Sequence, residues 1–187
     1  MASKTTQEFV ETCIFCFIAT GQDEEAVVLK KNKELVCFKD IYPAAPHHYL
    51  VVPLQHIPSC FSLHRGHIGL VNRMAEMGKE VLQDQGITDM MDIRMGFHQP
   101  PYTSVDHLHL HVLAPTRQIS HFIRYKFTPG TKRFVTDELL SKCLQDKAPP
   151  VTGLLNGLLS YCCNETPSSE ESEPESEPEC ATWRGRF

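Results

Sequence analysis

Apolar residues recur at every second position in some stretches of this chain and at every third or fourth in others, and the change of period divides it into elements. Residues 8–20 (EFVETCIFCFIAT) are apolar and predict a short helix or turn that ends at Gly21. Residues 26–31 (AVVLKK) and 34–40 (ELVCFKD) are β-branched or alternating runs. Only Lys31-Asn32-Lys33 separates them, so they predict a hairpin. Tyr42-Pro43-Ala44-Ala45-Pro46 reads as a loop, because each proline pushes its predecessor into extended geometry. HHYLVVP (47–53) is a third strand, stopped by Pro53. Between Ser62 and Gln85 the apolar residues Ile68, Val71, Met74, Ala75, Met77, Val81 and Leu82 fall at helical spacing, with Gly86 placed as a C-cap. MDIRMGF (91–97) predicts a fourth strand and HLHLHVL (107–113) a fifth, closed by Pro115. DELLSKCLQD (137–146) predicts a short helix capped by Thr136 or Asp137.

Strands joined by short connections favour an antiparallel sheet. The expectation is an α+β domain over residues 8–146, a five-stranded antiparallel sheet with its helices on one side. Residues 147–187 read as a flexible tail, since 164–179 (NETPSSEESEPESEPE) are almost entirely Ser, Glu and Pro and cannot bury enough surface to order themselves.

Composition changes this picture in two places. The net charge of −5 belongs to the tail: without the seven Glu and two Arg of residues 164–187, sixteen basic and sixteen acidic residues remain. A neutral body carries no field that would recruit nucleic acid. No apolar run approaches membrane-spanning length, so no membrane partner is expected. Eight cysteines behind a polar N-terminal stretch fit a reducing, cytoplasmic or nuclear location, where thiols stay free or bind metal.

The chemistry lies in His107-Leu108-His109-Leu110-His111-Val112-Leu113. On a strand, alternate side chains share a face, so the three imidazoles point one way, each about 7 Å from the next, and the aliphatic residues point the other. Imidazole binds metals, attacks phosphorus near neutral pH, and, when clustered, suppresses the protonation of its neighbours. Independently, Cys13-Ile-Phe-Cys16 has the spacing of half a tetrahedral zinc site.

HLHLHVL resembles the signature of the histidine triad superfamily, His-φ-His-φ-His-φ-φ with φ apolar. Phe38 to Pro43, His47 to Pro53, His56-Ile57, Arg94 to His98 and Ser104-Val105 resemble the family's other site motifs in the same order, so the likeness covers roughly residues 12–145. The Gly-Phe-His-x-Pro-Pro stretch is similar to the third type of histidine triad nucleotide-binding protein, which implies adenosine 5′-monophosphoramidase activity. The resemblance implies a catalytic set of His48, His107, His109 and His111, with His109 attacking an adenylyl phosphate to form a covalent intermediate. His111 and the strand backbone at Leu110 would hold the phosphate, Asp40 the ribose hydroxyls, Phe38 and Ile41 the base. His98 and Ser104 would stand near the phosphate and leaving group. His98 departs from the best-known branch, which has Asn there, and the chain lacks that branch's short Trp-containing ending. The likeness also implies a homodimer paired through the long helix, adenosine nucleotides as ligands and no catalytic cofactor.

Some members of the superfamily hold structural zinc with two Cys, a His after the third strand and the first triad His. Cys13, Cys16, His56 and His107 fill those positions, although buried thiols beside polar histidines would read the same in sequence. Two other activities fit the motifs: dinucleoside polyphosphate hydrolysis, and a non-catalytic nucleotide-sensing adaptor.

Overall fold

The computed structural model describes residues 10–146. The order is α1 (Ile14–Thr20), β1 (Val28–Lys31), β2 (Leu35–Lys39), β3 (His47–Pro53), α2 (Ile68–Asp84), β4 (Arg94–His98), β5 (Leu110–Ala114), β6 (Phe134–Thr136) and α3 (Asp137–Asp146). The expected tail (147–187) and residues 8 and 9 lie outside the described residues.

Every predicted element is present, and the sheet is antiparallel throughout, ordered β1-β2-β3-β5-β4-β6. Six strands stand where five were expected. The sixth, Phe134–Thr136, is three residues long, too short to display a period. It exists because it pairs with β4, Phe97 opposite Val135 and His98 opposite Phe134.

The β1–β2 turn forms as its residues predict. Asn32 Oδ1 accepts the amides of Glu34 and Leu35, at 2.9 and 2.7 Å, the Asx geometry that reverses a chain. The α2 helix starts at Ile68, the first residue of its apolar pattern and later than the span expected from Ser62, after two 3-10 turns (Cys60–Ser62 and Arg65–His67). It ends in a Schellman motif: Ile87 N–H donates to Leu82 O and Gly86 N–H to Gln83 O, with Gly86 at φ 82. On α3 the cap is Thr136, whose Oγ1 accepts the amide of Leu139.

Helices cover both faces of the sheet, not one. α1 packs Phe15, Cys16, Ile18 and Ala19 onto Val36, Phe38, Leu50 and Val52. α2 lies on the other face, where Gly78 approaches Val112 and Met95. The reason is period 2 in strands buried on both sides: Leu110 and Val112 face α2, while His109, His111 and Leu113 face the side of α1. The α1 segment is too short for its apolar stripe to announce which face it covers.

Candidate functional site

Five neighbouring chain segments each bring one group to the same face of the sheet. In strand order these are Asp40, just past β2, then His48 on β3, His111 on β5, His98 on β4, and the carbonyl of Arg133, just before β6. Asp40 Oδ2 lies 3.4 Å from His48 Nε2, which lies 2.9 Å from His111 Nδ1. The His111 ring is 4.6 Å from that of His98, whose Nδ1–H donates to Arg133 O at 3.2 Å. His109 joins the row from its own segment, with its ring 4.9 Å from that of His111.

Backbone groups dictate the tautomer of nearly every imidazole. Ala44 N–H donates to His48 Nδ1 at 3.0 Å, so the proton of His48 sits on Nε2 and is given to His111 Nδ1. His111 must then carry its own proton on Nε2. That nitrogen is buried and has no hydrogen-bond partner among the described residues. His109 Nδ1–H donates to the His107 carbonyl at 2.6 Å, which leaves the lone pair of His109 on Nε2.

The electrostatics keep these rings neutral. Burial holds His48 and His98 down to about 4, and the charges of neighbouring histidines press the same way. Burial takes His111 well below the ordinary histidine value. It also lowers His109, opposed by the bond to the His107 carbonyl and by the charge of Asp40. Burial raises the Asp40 carboxyl, opposed by the amide of Tyr42, which donates to Oδ1 at 2.8 Å. The site is therefore largely buried and built of neutral imidazoles beside Asp40, with a lone pair on His109 Nε2 and, among the described residues, one unpaired donor on His111. Asp40, His48 and His111 have donor atoms within 4.8 Å of one another. The tautomer chain uses both Nδ1 lone pairs and leaves protons on both Nε2 atoms, a poor set for a cation.

His107 belongs to a second cluster. Its Nε2–H donates to Pro53 O at 2.9 Å, and its Nδ1 faces the sulfurs of Cys13 and Cys16 at 3.4 and 3.6 Å. His56 Nδ1 is 3.4 Å from Cys16 Sγ. The four donor atoms lie within 4.8 Å of one another. The three triad histidines are thus not one strand. β5 begins at Leu110, and Leu108 N–H donates to Ile57 O in the segment after β3. Pro53, at the end of β3, has no N–H with which to extend the ladder.

Among the remaining expected residues, Leu110 is buried and paired with Val51. Phe38 is buried under α1, edge-on to Phe15, so it serves the core rather than an open wall. Ile41 is 81% exposed and offers its side chain to solvent. Ser104 is exposed on the β4–β5 connection, and no hydrogen bond joins it to the histidine row among the described residues.

Three aromatic residues of the site carried no sequence signal. Phe127, on the 3-10 turn Arg124–Phe127, stands edge-on to His48 at 5.6 Å and to His111 at 5.4 Å, and 5.0 Å from His98. Arg94 Nη1 donates to its carbonyl and fixes that turn. Phe134 lies 5.5 Å from His98, and Phe15 lies 5.3 Å from His109. Gly96 leaves room for Phe134, since a Cβ there would sit 2.6 Å from its ring. A glycine inside the strand MDIRMGF is the signal that could have marked this close approach.

The chain is similar to known proteins over most of the described residues. A family model described as scavenger mRNA decapping enzyme C-term binding matches residues 12–125. The adenosine 5'-monophosphoramidase HINT3 of Danio rerio is 51% identical over 128 residues, 68% of this chain and 79% of the relative. That of Mus musculus is 46% identical over 132 residues, 70% of this chain and 80% of the relative. Among solved structures, a HIT family hydrolase from Legionella pneumophila superposes with TM-score 0.51 at 32% identity, covering 55% of this chain and 91% of that one.

Proposed function

The chain belongs to the histidine triad superfamily, and from that premise we propose that it is an adenosine 5′-monophosphoramidase that works through His109 as a covalent nucleophile. The relatives named above carry that activity in their names at about half identity. The observation that carries the mechanism is the pairing of a free lone pair on His109 with an unpaired, buried N–H on His111. An unsatisfied buried donor costs about 1–3 kcal/mol, and an anionic oxygen arriving with a ligand removes that cost. Because the donor is held in place and buried before the ligand arrives, it is worth most when negative charge grows on the phosphate oxygens in the transition state.

His109 Nε2 attacks the α-phosphorus of the phosphoramidate. The P–N bond breaks, and the amine leaves with the bonding pair and takes a proton from water. Water then attacks the adenylyl-histidine, the imidazole leaves phosphorus, and AMP is released. During the first step the imidazole becomes positive, and the His107 carbonyl and Asp40 both favour that charge. Asp40 is the group for the ribose hydroxyls, since a carboxylate accepts two of them at once. Adenosine nucleotides are thus the ligands of this reading, and no cofactor takes part in the steps.

The Cys13, Cys16, His56 and His107 cluster suits zinc. The Pro53 carbonyl fixes the His107 tautomer so that its Nδ1 lone pair faces the two sulfurs. Two thiolates and two imidazoles make a closed tetrahedral set with no position for substrate, so the metal would be structural. The same reading includes a homodimer, supported by the family resemblance, and a cytoplasmic or nuclear location, supported by the cysteine content.

The test is intact-protein mass spectrometry after quenching wild type and His109→Ala with adenosine 5′-phosphoramidate. Wild type should gain one AMP mass transiently, and the variant should gain none while losing about 10⁴-fold in turnover. AMP release by His109→Ala at a wild-type rate would sink the mechanism.

A further inference from the structure

Beyond His98 the row does not stop. The Arg133 carbonyl accepts from His98 Nδ1 and from the Gln99 amide, which ties the start of β6 to the site. The Arg133 side chain is shaped by two aromatic rings from different segments. Its guanidinium lies over the Tyr102 ring at 4.2 Å and within 5.4 Å of the Tyr125 centroid. Tyr125 shares its 3-10 turn with Phe127, the residue edge-on to His48 and His111. Both the backbone and the ring support of Arg133 are therefore connected to the catalytic histidines.

The charge around it has no internal answer. Residues 107–136 contain Arg117, Arg124, Lys126, Lys132 and Arg133 and no Asp or Glu. Arg117 pairs with Asp92, and Arg124 is turned onto the carbonyls of Arg117 and Ile119. Among the described residues, no carboxylate lies within ion-pair distance of Lys126, Lys132 or Arg133. A guanidinium stacked on aromatic faces keeps its in-plane N–H fork free, and that fork matches a planar or tetrahedral oxyanion in bidentate fashion. The stacking also removes rotamer freedom in advance, so less entropy is lost when the anion binds.

We propose that Arg133, stacked on Tyr102 and Tyr125 at the β6 end of the histidine row, binds an oxyanion carried by the leaving group of the substrate. The inference rests on the phosphoramidase reading and names a substrate class for it: adenylates whose leaving group bears a carboxylate or a phosphate near the scissile bond. The position follows from the sheet. With the phosphate at His111 on β5, Asp40 takes the ribose on the β2 side, and the β4 and β6 side remains for the leaving group. Two strand spacings separate β5 from β6, about 10 Å, a span that an amino-acid-sized leaving group and an arginine side chain bridge together.

The experiment compares kcat/KM for wild type, Arg133→Gln and Arg133→Lys on four substrates. These are adenosine 5′-phosphoramidate, the AMP phosphoramidate of an amino acid with a free α-carboxylate, its carboxamide analogue, and diadenosine triphosphate. Wild type should prefer the free carboxylate over the carboxamide by about tenfold or more, the worth of a charge-assisted bond. Arg133→Gln should erase that preference mainly through KM, and Arg133→Lys should retain part of it. If the preference falls instead on diadenosine triphosphate and vanishes in Arg133→Gln, the oxyanion is a phosphate and the proposal stands. Equal losses on all four substrates would mean that Arg133 only supports His98, and the proposal would fall. It would also fall if no selectivity changed in a variant with a wild-type unfolding midpoint. Wild type that releases AMP from none of the phosphoramidates would instead overturn the phosphoramidase reading itself.

Discussion

At the scale of single residues, the site works by assigning one proton to each ring. His48, His98, His107 and His109 all meet a backbone N–H or carbonyl, so the main chain, not the side chains, writes the tautomers. His107 has two tasks: its ring faces the cysteines and its carbonyl accepts from His109 Nδ1–H. Neutrality has a consequence for stability. His48 and His98 sit at about 4 in the folded protein against an ordinary 6.5. Above the ordinary value both states are neutral and stability is complete. As pH falls from 6.5 toward 4, the unfolded chain takes up protons that the folded one refuses, so stability is lost on acidification. Each histidine contributes ~1.4 kcal/mol per pH unit within that window. Urea denaturation between about pH 7 and pH 5 should show a steady decline that weakens in His98→Gln. A flat profile would contradict the burial of these rings as neutral bases. The histidines themselves were legible in the sequence. The unpaired donor on His111 was not, because it depends on a relay from Ala44 through His48 to His111, and that last step spans 63 residues of chain.

At the scale of elements, the alternation of HLHLHVL gave the right faces but the wrong extent. Leu110 and Val112 are buried toward α2 as expected, yet the ladder starts only at Leu110. A strand continues only while its neighbour offers partners, and Pro53 withholds one. The short β6 is the converse case, made by its neighbour. α2 was read from its apolar spacing, and one glycine within it shows how tertiary packing overrides propensity. In an isolated helix, Gly78→Ala would stabilise by about 1 kcal/mol. Here a Cβ at Gly78 would meet Val112 Cγ2 at 2.7 Å, on the strand that carries His111. Gly78→Ala should therefore destabilise by about 1–3 kcal/mol in chemical denaturation. A gain in stability would mean that α2 lies further from β5 than this packing implies.

At the scale of the whole molecule, the site is a line drawn across five strand-end positions, with a cysteine-histidine cluster at the end where α1 docks. Structural zinc contributes directly to folding free energy. Protein purified from zinc-supplemented medium should hold about one zinc per chain, and Cys16→Ser should lose both the metal and several degrees of unfolding midpoint. A wild-type midpoint in metal-free Cys16→Ser would leave the cluster as buried thiols beside histidines. The sequence by itself determined the α+β class, the hairpin, the long helix, the alternating faces of the histidine segment and the spacing of Cys13 and Cys16. All of these are local, written in periodicity and in residue chemistry within a few positions. Tertiary structure alone decided that α1 covers the face that carries the histidine row, that β6 exists, that Phe127 and Phe134 flank those histidines, and that the Arg133 carbonyl extends the row. Those features depend on which segments become neighbours across the sheet, and residues 116–133, which supply Phe127 and Arg133, have no repeating pattern by which a neighbour could be foreseen.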